Sequence, residues 1–259
     1  MTTDPPRVHP AAEAFDRAAD AYERGRPEYP SEAVRWLADK LGLRPGRRVV
    51  ELGSGTGKFT RALRGTGAEI VAVEPSTSMR ETFRRQLPDM EVRDGTAEAI
   101  PLPDASVDTV VVAQAFHWFR QPVSLDEIGR IVRPGGGLGL VWNLRDERVP
   151  WVAEFGRLLD GHEGPGVPRT RLGAWKAAFE GHPAFPTPES VSFPWTQEGD
   201  AARFVDRALS VSFIAEKPPE VRERVADGVR SLLATHPDTA GKDRFTMPYV
   251  TSVYWTFRR

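Results

Sequence analysis

Apolar residues along the chain switch between two spacings, and the switch repeats. From Ala11 to Arg24, residues Ala14, Phe15, Ala18, Ala19 and Tyr22 fall at helical intervals, predicting an amphipathic helix that stops near Gly25 and Pro27. A second helix follows Pro30, with Ser31 as its N-cap and Val34, Trp36, Leu37 and Leu41 on its apolar face; Gly42 ends it. Arg48 to Leu52 reads as a short strand between Pro45-Gly46 and a glycine cluster, and Lys58 to Arg64 as a helix. Ile70 to Val73, Met90 to Arg93 and Val107 to Ala113 read as further strands, separated by a helix from Ser76 to Gln86. Val123 to Val132 is a helix, Arg133 to Gly137 a tight turn, and Leu138 to Trp142 a fifth parallel strand. Strand and helix in alternation predict a mostly parallel sheet covered on both faces, a doubly wound α/β fold.

Beyond Asn143 the alternation breaks down. Helices are expected near Trp151 to Leu159, Arg171 to Phe179, Ala201 to Leu209 and Pro219 to Ala234, with strand-like runs at Ser190 to Trp195 and Met247 to Phe257. Gly161 to Pro168 is the candidate exposed loop, and no internal repeat is present. The expected organisation is a proline-rich flexible tail over residues 1–10, then one domain over 11–259. Its core spans about 31–143, and the elements of 144–259 form a lid over the substrate.

The segment richest in chemistry is Val49-Val50-Glu51-Leu52-Gly53-Ser54-Gly55-Thr56-Gly57, where a strand runs into three alternate glycines and then a helix. Glycine accepts positive φ and has no Cβ to keep a ligand off the backbone. The second strand ends in Val73-Glu74, which puts a carboxylate at the same sheet edge, able to accept from both hydroxyls of an adenosine ribose. Lys58 stands at the third glycine position of the dinucleotide fingerprint, which counts against a nicotinamide cofactor, and Gly57-Lys58-Phe59 does not fit a Walker loop.

Glu51-Leu52-Gly53-Ser54-Gly55-Thr56-Gly57 resembles motif I of the class I S-adenosylmethionine-dependent methyltransferases, and three more landmarks follow in that family's order. Glu74-Pro75-Ser76 is similar to the acidic ribose position, Asp94-Gly95-Thr96-Ala97-Glu98 to the adenine loop, and Arg133-Pro134-Gly135-Gly136 to the turn before the fifth strand. The resemblance covers roughly Phe15 to Asn143 and implies a Rossmann-like fold with an N-terminal helical cover, binding S-adenosyl-L-methionine. It implies cofactor contacts from Glu51, Gly53, Ser54, Gly55, Gly57, Glu74, Pro75, Met79, Thr96, Ala97, Glu98 and Gln114. Thr96 stands where the family often has Asp, which leaves a hydroxyl without the charge.

Tyr22 to Pro30, and Gln114-Ala115-Phe116-His117-Trp118-Phe119, resemble the group containing trans-aconitate methyltransferase and related small-molecule methyltransferases. That resemblance implies an N-terminal segment over the cofactor, with Arg26 pairing with the cofactor's carboxylate, and Tyr22, Trp118 and Trp142 facing substrate. His117, just past the fourth strand, is the candidate catalytic residue: a general base on a hydroxyl, or a group that orients a carboxylate. Phe116, Trp118, Phe119, Trp142 and Trp151 form an aromatic set able to pack around a substrate or serve as core.

Composition narrows the partners. Lys plus Arg number 35 against 36 Asp plus Glu, which offers no excess charge to neutralise a phosphate backbone, so the expected acceptor is a small organic molecule, methylated at a carboxylate or hydroxyl, rather than nucleic acid. The chain has no Cys, which removes disulfides and thiolate chemistry. His9, His162, His182 and His236 lack metal-ligand spacing, and Gly53-Ser54-Gly55 lacks that of a nucleophile elbow, so neither a metal site nor a serine triad is expected. No secretory signal or membrane span is read, and the expected location is cytoplasmic. The readings left in competition are a cofactor-binding protein or cyclase on the same fold that transfers no methyl and, further off, a nicotinamide oxidoreductase.

Overall fold

The computed structural model describes residues 23–164 and 173–259. The expected tail over 1–10, most of the first expected helix, Tyr22, and much of the loop around Gly161 to Pro168 lie outside the described residues. In chain order the elements are α1 (Ser31–Leu41), β1 (Arg48–Leu52), α2 (Lys58–Leu63), β2 (Glu69–Val73), α3 (Thr77–Gln86), β3 (Glu91–Arg93), β4 (Val107–Ala113), α4 (Gln121–Ile131), β5 (Val132–Arg145), α5 (Pro150–Asp160), β6 (Glu189–Gly199), α6 (Ala201–Leu209), α7 (Ser212–Ala215), α8 (Pro219–Thr235) and β7 (Phe245–Phe257).

The strands form one seven-stranded sheet in the order β3-β2-β1-β4-β5-β7-β6. β1 pairs in parallel with both β2 and β4, and β7 is antiparallel to its neighbours β5 and β6. The chain runs outward from β1 to β3, then returns to place β4 on the other side of β1. Connections on either side of that switch leave in opposite directions and open a crevice at the carboxyl ends of β1 and β4, where sheets of this kind bind ligands.

Period-two alternation explains how both faces are buried. Val50, Leu52, Val71, Val73, Val110, Val112, Leu138, Leu140 and Trp142 face one side and pack with Leu125 and Ile128 of α4. Val49, Ile70, Val111 and Val141 face the other and pack with Leu37 of α1 and with Phe59 and Leu63 of α2. β7 reaches past the core: Phe245, Met247 and Tyr249 join Trp151, Phe155, Phe204, Val225 and Val229 in a third cluster that builds a helical cap from α5, α6 and α8.

Several boundaries differ from the sequence expectation for identifiable reasons. Pro30, extended at φ −64° and ψ 131°, is the residue before α1, and Ser31 is its first helical residue rather than its N-cap. The helix after the glycine loop stops at Leu63, and Arg64–Thr66 tighten into a 3₁₀ turn. The expected turn at Arg133 to Gly137 is part of β5, whose register against β4 shifts between Val107 and Thr109 to take up the glycines. The expected helix from Arg171 is a 3₁₀ segment over Ala174–Phe179 where described. The 3₁₀ turn Phe116–Trp118 and the four-residue α7 are too short to show helical periodicity in the sequence.

Candidate active site

The glycine loop leaves β1 with Gly53, Gly55 and Gly57 all left-handed, at φ +65°, +56° and +88°. Three positive φ values at alternate residues make a tight path that side chains resist, and each glycine also has its own spatial role. A Cβ on Gly53 would stand 2.7 Å from Ala115 Cβ, and one on Gly57 2.6 Å from Leu87 Cδ1, so both positions are packed against neighbours. A Cβ on Gly55 would meet nothing within 4 Å. Among the described residues, then, nothing stands over the Cα of the loop's middle glycine.

Backbone bonds hold the path, since Gly53 N and Ser54 N both donate to Val73 O (2.8 and 3.3 Å) and Gly57 N donates to Ser54 O (3.0 Å). Glu74, 6% exposed, closes the arrangement: Gly55 N donates to its Oε2 at 2.8 Å and Ser76 N to its Oε1 at 2.9 Å. Ser76 Oγ in turn caps α3 by accepting from Met79 N at 3.2 Å. Arg80, 7% exposed, was missed in the sequence because arginine is usually exposed. Its Nη1 donates to Glu74 O, Pro75 O and Asp94 Oδ1 (2.8, 2.7 and 3.0 Å) and so bolts the loop after β2 to the loop after β3.

Glu51 is 1% exposed and hydrogen-bonded to the Thr60 hydroxyl. Burial, aided by the nearby negative charge of Glu74 and opposed by the Thr60 hydrogen bond, pushes its carboxyl up to about 8. At neutral pH the folded protein therefore keeps this carboxyl largely protonated.

The remaining expected site residues separate into those that border the crevice and those that hold it together. Met79 and Ala97 are buried beside it, and Thr96 pairs with Ala99 in a short bridge. Glu98 accepts from Arg120 N at 2.8 Å and so fixes the entry to α4. Gln114 takes a left-handed φ of +59° at the end of β4, an unusual conformation for a residue other than glycine, and its side chain donates to Asn143 O at 3.3 Å.

Arg26 lies in the segment that precedes α1. Its Nη2 donates to Ser210 O at 2.9 Å, and the head group fastens residues 23–30 to the cap. Those residues form a strap across the crevice. Glu23 accepts from Thr56 Oγ1 (2.6 Å) and Arg61 (3.0 Å), and Glu28 accepts from Lys58 Nζ at 2.8 Å. Lys58 is 6% exposed; the residue that breaks the dinucleotide fingerprint is an anchor for the strap. Burial opposes ionisation of Glu28, but Lys58 and Arg61 outweigh it and hold the carboxyl below its usual range. At the cap end Arg24 pairs with Asp206 (2.7 Å), and Gly25 lies so close to α6 that a Cβ there would be 2.3 Å from Arg207 N. Asn143 ties the strap to the sheet by donating to Glu28 O at 3.0 Å.

Of the aromatic set, Trp142 and Trp151 are 1% and 4% exposed. Trp142 stacks on Trp175 at 4.7 Å in the core. Trp151 belongs to the cap cluster. Trp118 is partly exposed and lies 4.9 Å from the His117 ring. What Trp142 contributes is its indole N–H, which donates to His117 Nδ1 at 3.3 Å. An indole nitrogen only donates, so Nδ1 is the acceptor and the neutral imidazole carries its proton on Nε2. In that tautomer Nε2 is the donor atom of the ring.

S-adenosylmethionine fits these residues on the structure's own terms. Among the described residues the loop leaves space where Gly55 lacks a side chain, and the buried hydroxyls Ser54 Oγ and Thr96 Oγ1, on the loops after β1 and β3, have no hydrogen-bond partner. Uncompensated buried polar atoms are costly, and a polar ligand in the crevice would give these two hydroxyls partners. Among the described residues no group of His, Cys, Asp and Glu is placed to hold a metal ion, and no helix is long and apolar enough to cross a membrane.

Comparison with known proteins agrees with this geometry. Residues 50–140 match the family model described as a methyltransferase domain. An uncharacterised methyltransferase of Mycobacterium tuberculosis is 43% identical over 92% of this chain and 93% of its own. A malonyl-[acyl-carrier protein] O-methyltransferase of Pectobacterium atrosepticum is 32% identical over 62% of this chain and 63% of its own. In fold, the chain resembles a solved candidate type II methyltransferase of Anaeromyxobacter dehalogenans, with a TM-score of 0.64 and 22% identity over 90% of this chain and 97% of that one.

Gly57→Ala combines left-handed strain with overlap on Phe83 and Leu87 and should cost about 2–4 kcal/mol of stability, whereas Gly55→Ala should cost only about 1 kcal/mol yet sharply weaken binding of S-adenosylhomocysteine. Denaturant unfolding and calorimetry separate the two effects; equal stability losses would contradict the distinction. For Glu51, a folded value raised to about 8 means that its contribution to stability is complete below the unfolded carboxylate range and is lost as pH rises towards 8. Unfolding free energies measured from pH 5 to 9 should show Glu51→Gln gaining on the parent by up to roughly 1.4 kcal/mol per pH unit until about pH 8, then levelling. A difference independent of pH would show that Glu51 is ionised in the fold.

Proposed function

The chain belongs to the class I S-adenosylmethionine-dependent methyltransferases, and from that premise we propose that it methylates a small organic molecule, with a carboxylate as the favoured acceptor. In this reading Gly53, Ser54, Gly55 and Gly57 hold the amino-acid part of the cofactor through backbone and hydroxyl, with Glu51 and Gln114 shaping the floor. Glu74 and Pro75 receive the ribose, Met79 packs on the nucleoside, and Thr96, Ala97 and Glu98 border the adenine. When bound, S-adenosylmethionine supplies an electrophilic methyl group on a sulfonium.

The protein's own part is to hold the partners in line and keep water out, which for a transfer between held reactants supplies much of the acceleration. The strap and cap support an enclosed pocket. A net charge of −1 supports a small molecule over nucleic acid.

The observation that carries the choice of acceptor is the Trp142–His117 hydrogen bond. A hydroxyl acceptor needs a base to take its proton, and His117, fixed as a donor from Nε2, is poorly arranged for that task. A carboxylate is already ionised near neutrality and gains from a donor that orients it. The malonyl-[acyl-carrier protein] relative is an O-methyltransferase, which agrees with oxygen as the acceptor atom. Trp118 flanks the same position as a candidate substrate contact.

Incubating a metabolite extract with the enzyme and methyl-labelled cofactor, read by mass spectrometry, should place the label in the ester of a small organic acid. Label recovered mainly in protein or nucleic acid would overturn the reading. With the acceptor in hand, His117→Ala should raise KM about tenfold, the loss of one hydrogen bond to a charged group, and leave the pH profile of kcat unchanged. A fall of 100-fold or more in kcat, with loss of the acidic limb, would instead make His117 a base.

A further inference from the structure

Two arginines are buried to nearly the same degree, and only one of them is compensated. Arg80, 7% exposed, bonds two carbonyls and the Asp94 carboxylate. Arg207, on α6 in the cap, is 5% exposed and makes no ion pair among the described residues; its Nε donates to Tyr249 Oη at 3.3 Å, and its Nη1 is buried with no hydrogen-bond partner among them. A buried charge without a counter-charge is strongly unfavourable.

Among the described residues its polar neighbours are neutral or cationic, and none is a carboxylate within ion-pair distance. Gln197, 4% exposed, satisfies both ends of its amide when its oxygen accepts from Arg203 (3.0 and 3.2 Å) and its nitrogen donates to Tyr249 Oη at 3.3 Å. Tyr249 Oη then accepts twice, and its own hydrogen is left to donate. Trp195 stacks on the Tyr249 ring at 5.4 Å, with a buried indole N–H that has no partner.

This cluster lies beside the crevice. Tyr249 pairs with Arg145 at the carboxyl end of β5. Gly25 of the strap lies against the α6 backbone at Arg207, and Glu23, two residues earlier and therefore within about 7 Å along the chain, holds Thr56 of the glycine loop.

We propose that Arg207, with Tyr249 and Trp195, forms an anion site that takes a carboxylate of the methyl acceptor. The inference rests on the methyltransferase reading. Arg207, Tyr249 and Trp195 all lie outside residues 50–140, on elements that complete the cap rather than the glycine crevice, which assigns the anion to the acceptor. The other source of the same chemistry is the cofactor's own carboxylate, and the test separates the two.

The experiment uses the whole chain saturated with S-adenosylhomocysteine and follows thermal unfolding during titration with malonate, with malonamide and sodium chloride as neutral and ionic-strength controls. The parent should gain stability with malonate only. Arg207→Met should lose that response while melting at or above the parent's temperature without malonate, because the uncompensated charge is gone; Arg207→Lys, which keeps the charge without the planar fork, should respond more weakly than the parent. Calorimetry should find the S-adenosylhomocysteine affinity of both variants within threefold of the parent. A parent that does not respond to malonate, or an Arg207→Lys that responds as the parent does, overturns the site. A tenfold or greater loss of S-adenosylhomocysteine affinity gives the anion to the cofactor and overturns the assignment to the acceptor. If the parent itself fails to bind S-adenosylhomocysteine, the methyltransferase reading fails, and the anion site falls with it by a visibly different result.

Discussion

A buried carboxylate must be paired, and at Glu74 the pairing organises the crevice. Its two oxygens accept from Gly55 N and Ser76 N, so the loop after β1 and the loop after β2 are fixed by a single side chain. The left-handed path of the three glycines is conformationally costly to order, and the bond from Gly55 helps to compensate that cost. Arg80 extends the same logic to the loop after β3. Three consecutive carboxyl-end loops are thus tied into one rigid edge, the condition for positioning two reactants.

Over that edge lies a strap held at both ends by charge. Glu23 and Glu28 grip Thr56, Lys58 and Arg61 at the core end, and Arg24 and Arg26 grip Asp206 and Ser210 at the cap end. The bonds of Glu23, of Glu28 to Lys58 and of Arg26 are partly buried and gain more than the exposed Arg24–Asp206 pair does. The cap in turn rests on the overhang of β7, whose Tyr249 and Met247 lie in the cap cluster while its Val253 and Trp255 lie in the core of the sheet. Sheet, strap and cap are therefore coupled by one strand and one short segment.

Much of this was legible from the residues. The run Val107 to Ala113 and the helix Ala201 to Leu209 coincide with their expected bounds, since each is a clear period ended by turn chemistry. The glycine loop and Glu74 stood out because their conformation and chemistry exclude most other residues. Less legible was anything that depended on which long polar side chain turns inward. Arg80 and Arg207 look like surface residues in a one-dimensional pattern, and only the fold shows their heads buried. Trp142 carried the opposite ambiguity: its size marked it as important, yet the sequence held no sign that its indole N–H, rather than its ring face, serves the site. The extent of β5 was hidden because Pro134-Gly135-Gly136-Gly137 reads as a turn, and the strand absorbs it as a register shift.

The claim on which the whole account stands is that the glycine loop and Glu74 bind the adenosyl cofactor. Calorimetric titration of the purified protein with S-adenosylhomocysteine tests it most directly, with Glu74→Ala beside the parent and circular dichroism to show that both are folded. The account predicts saturable one-to-one binding by the parent and a loss of about 1.5–3 kcal/mol in Glu74→Ala, as expected when charged hydrogen bonds to a ligand are removed. Equal affinity in the two proteins would contradict the ribose assignment, and a parent that binds NADH but not S-adenosylhomocysteine would contradict the account as a whole.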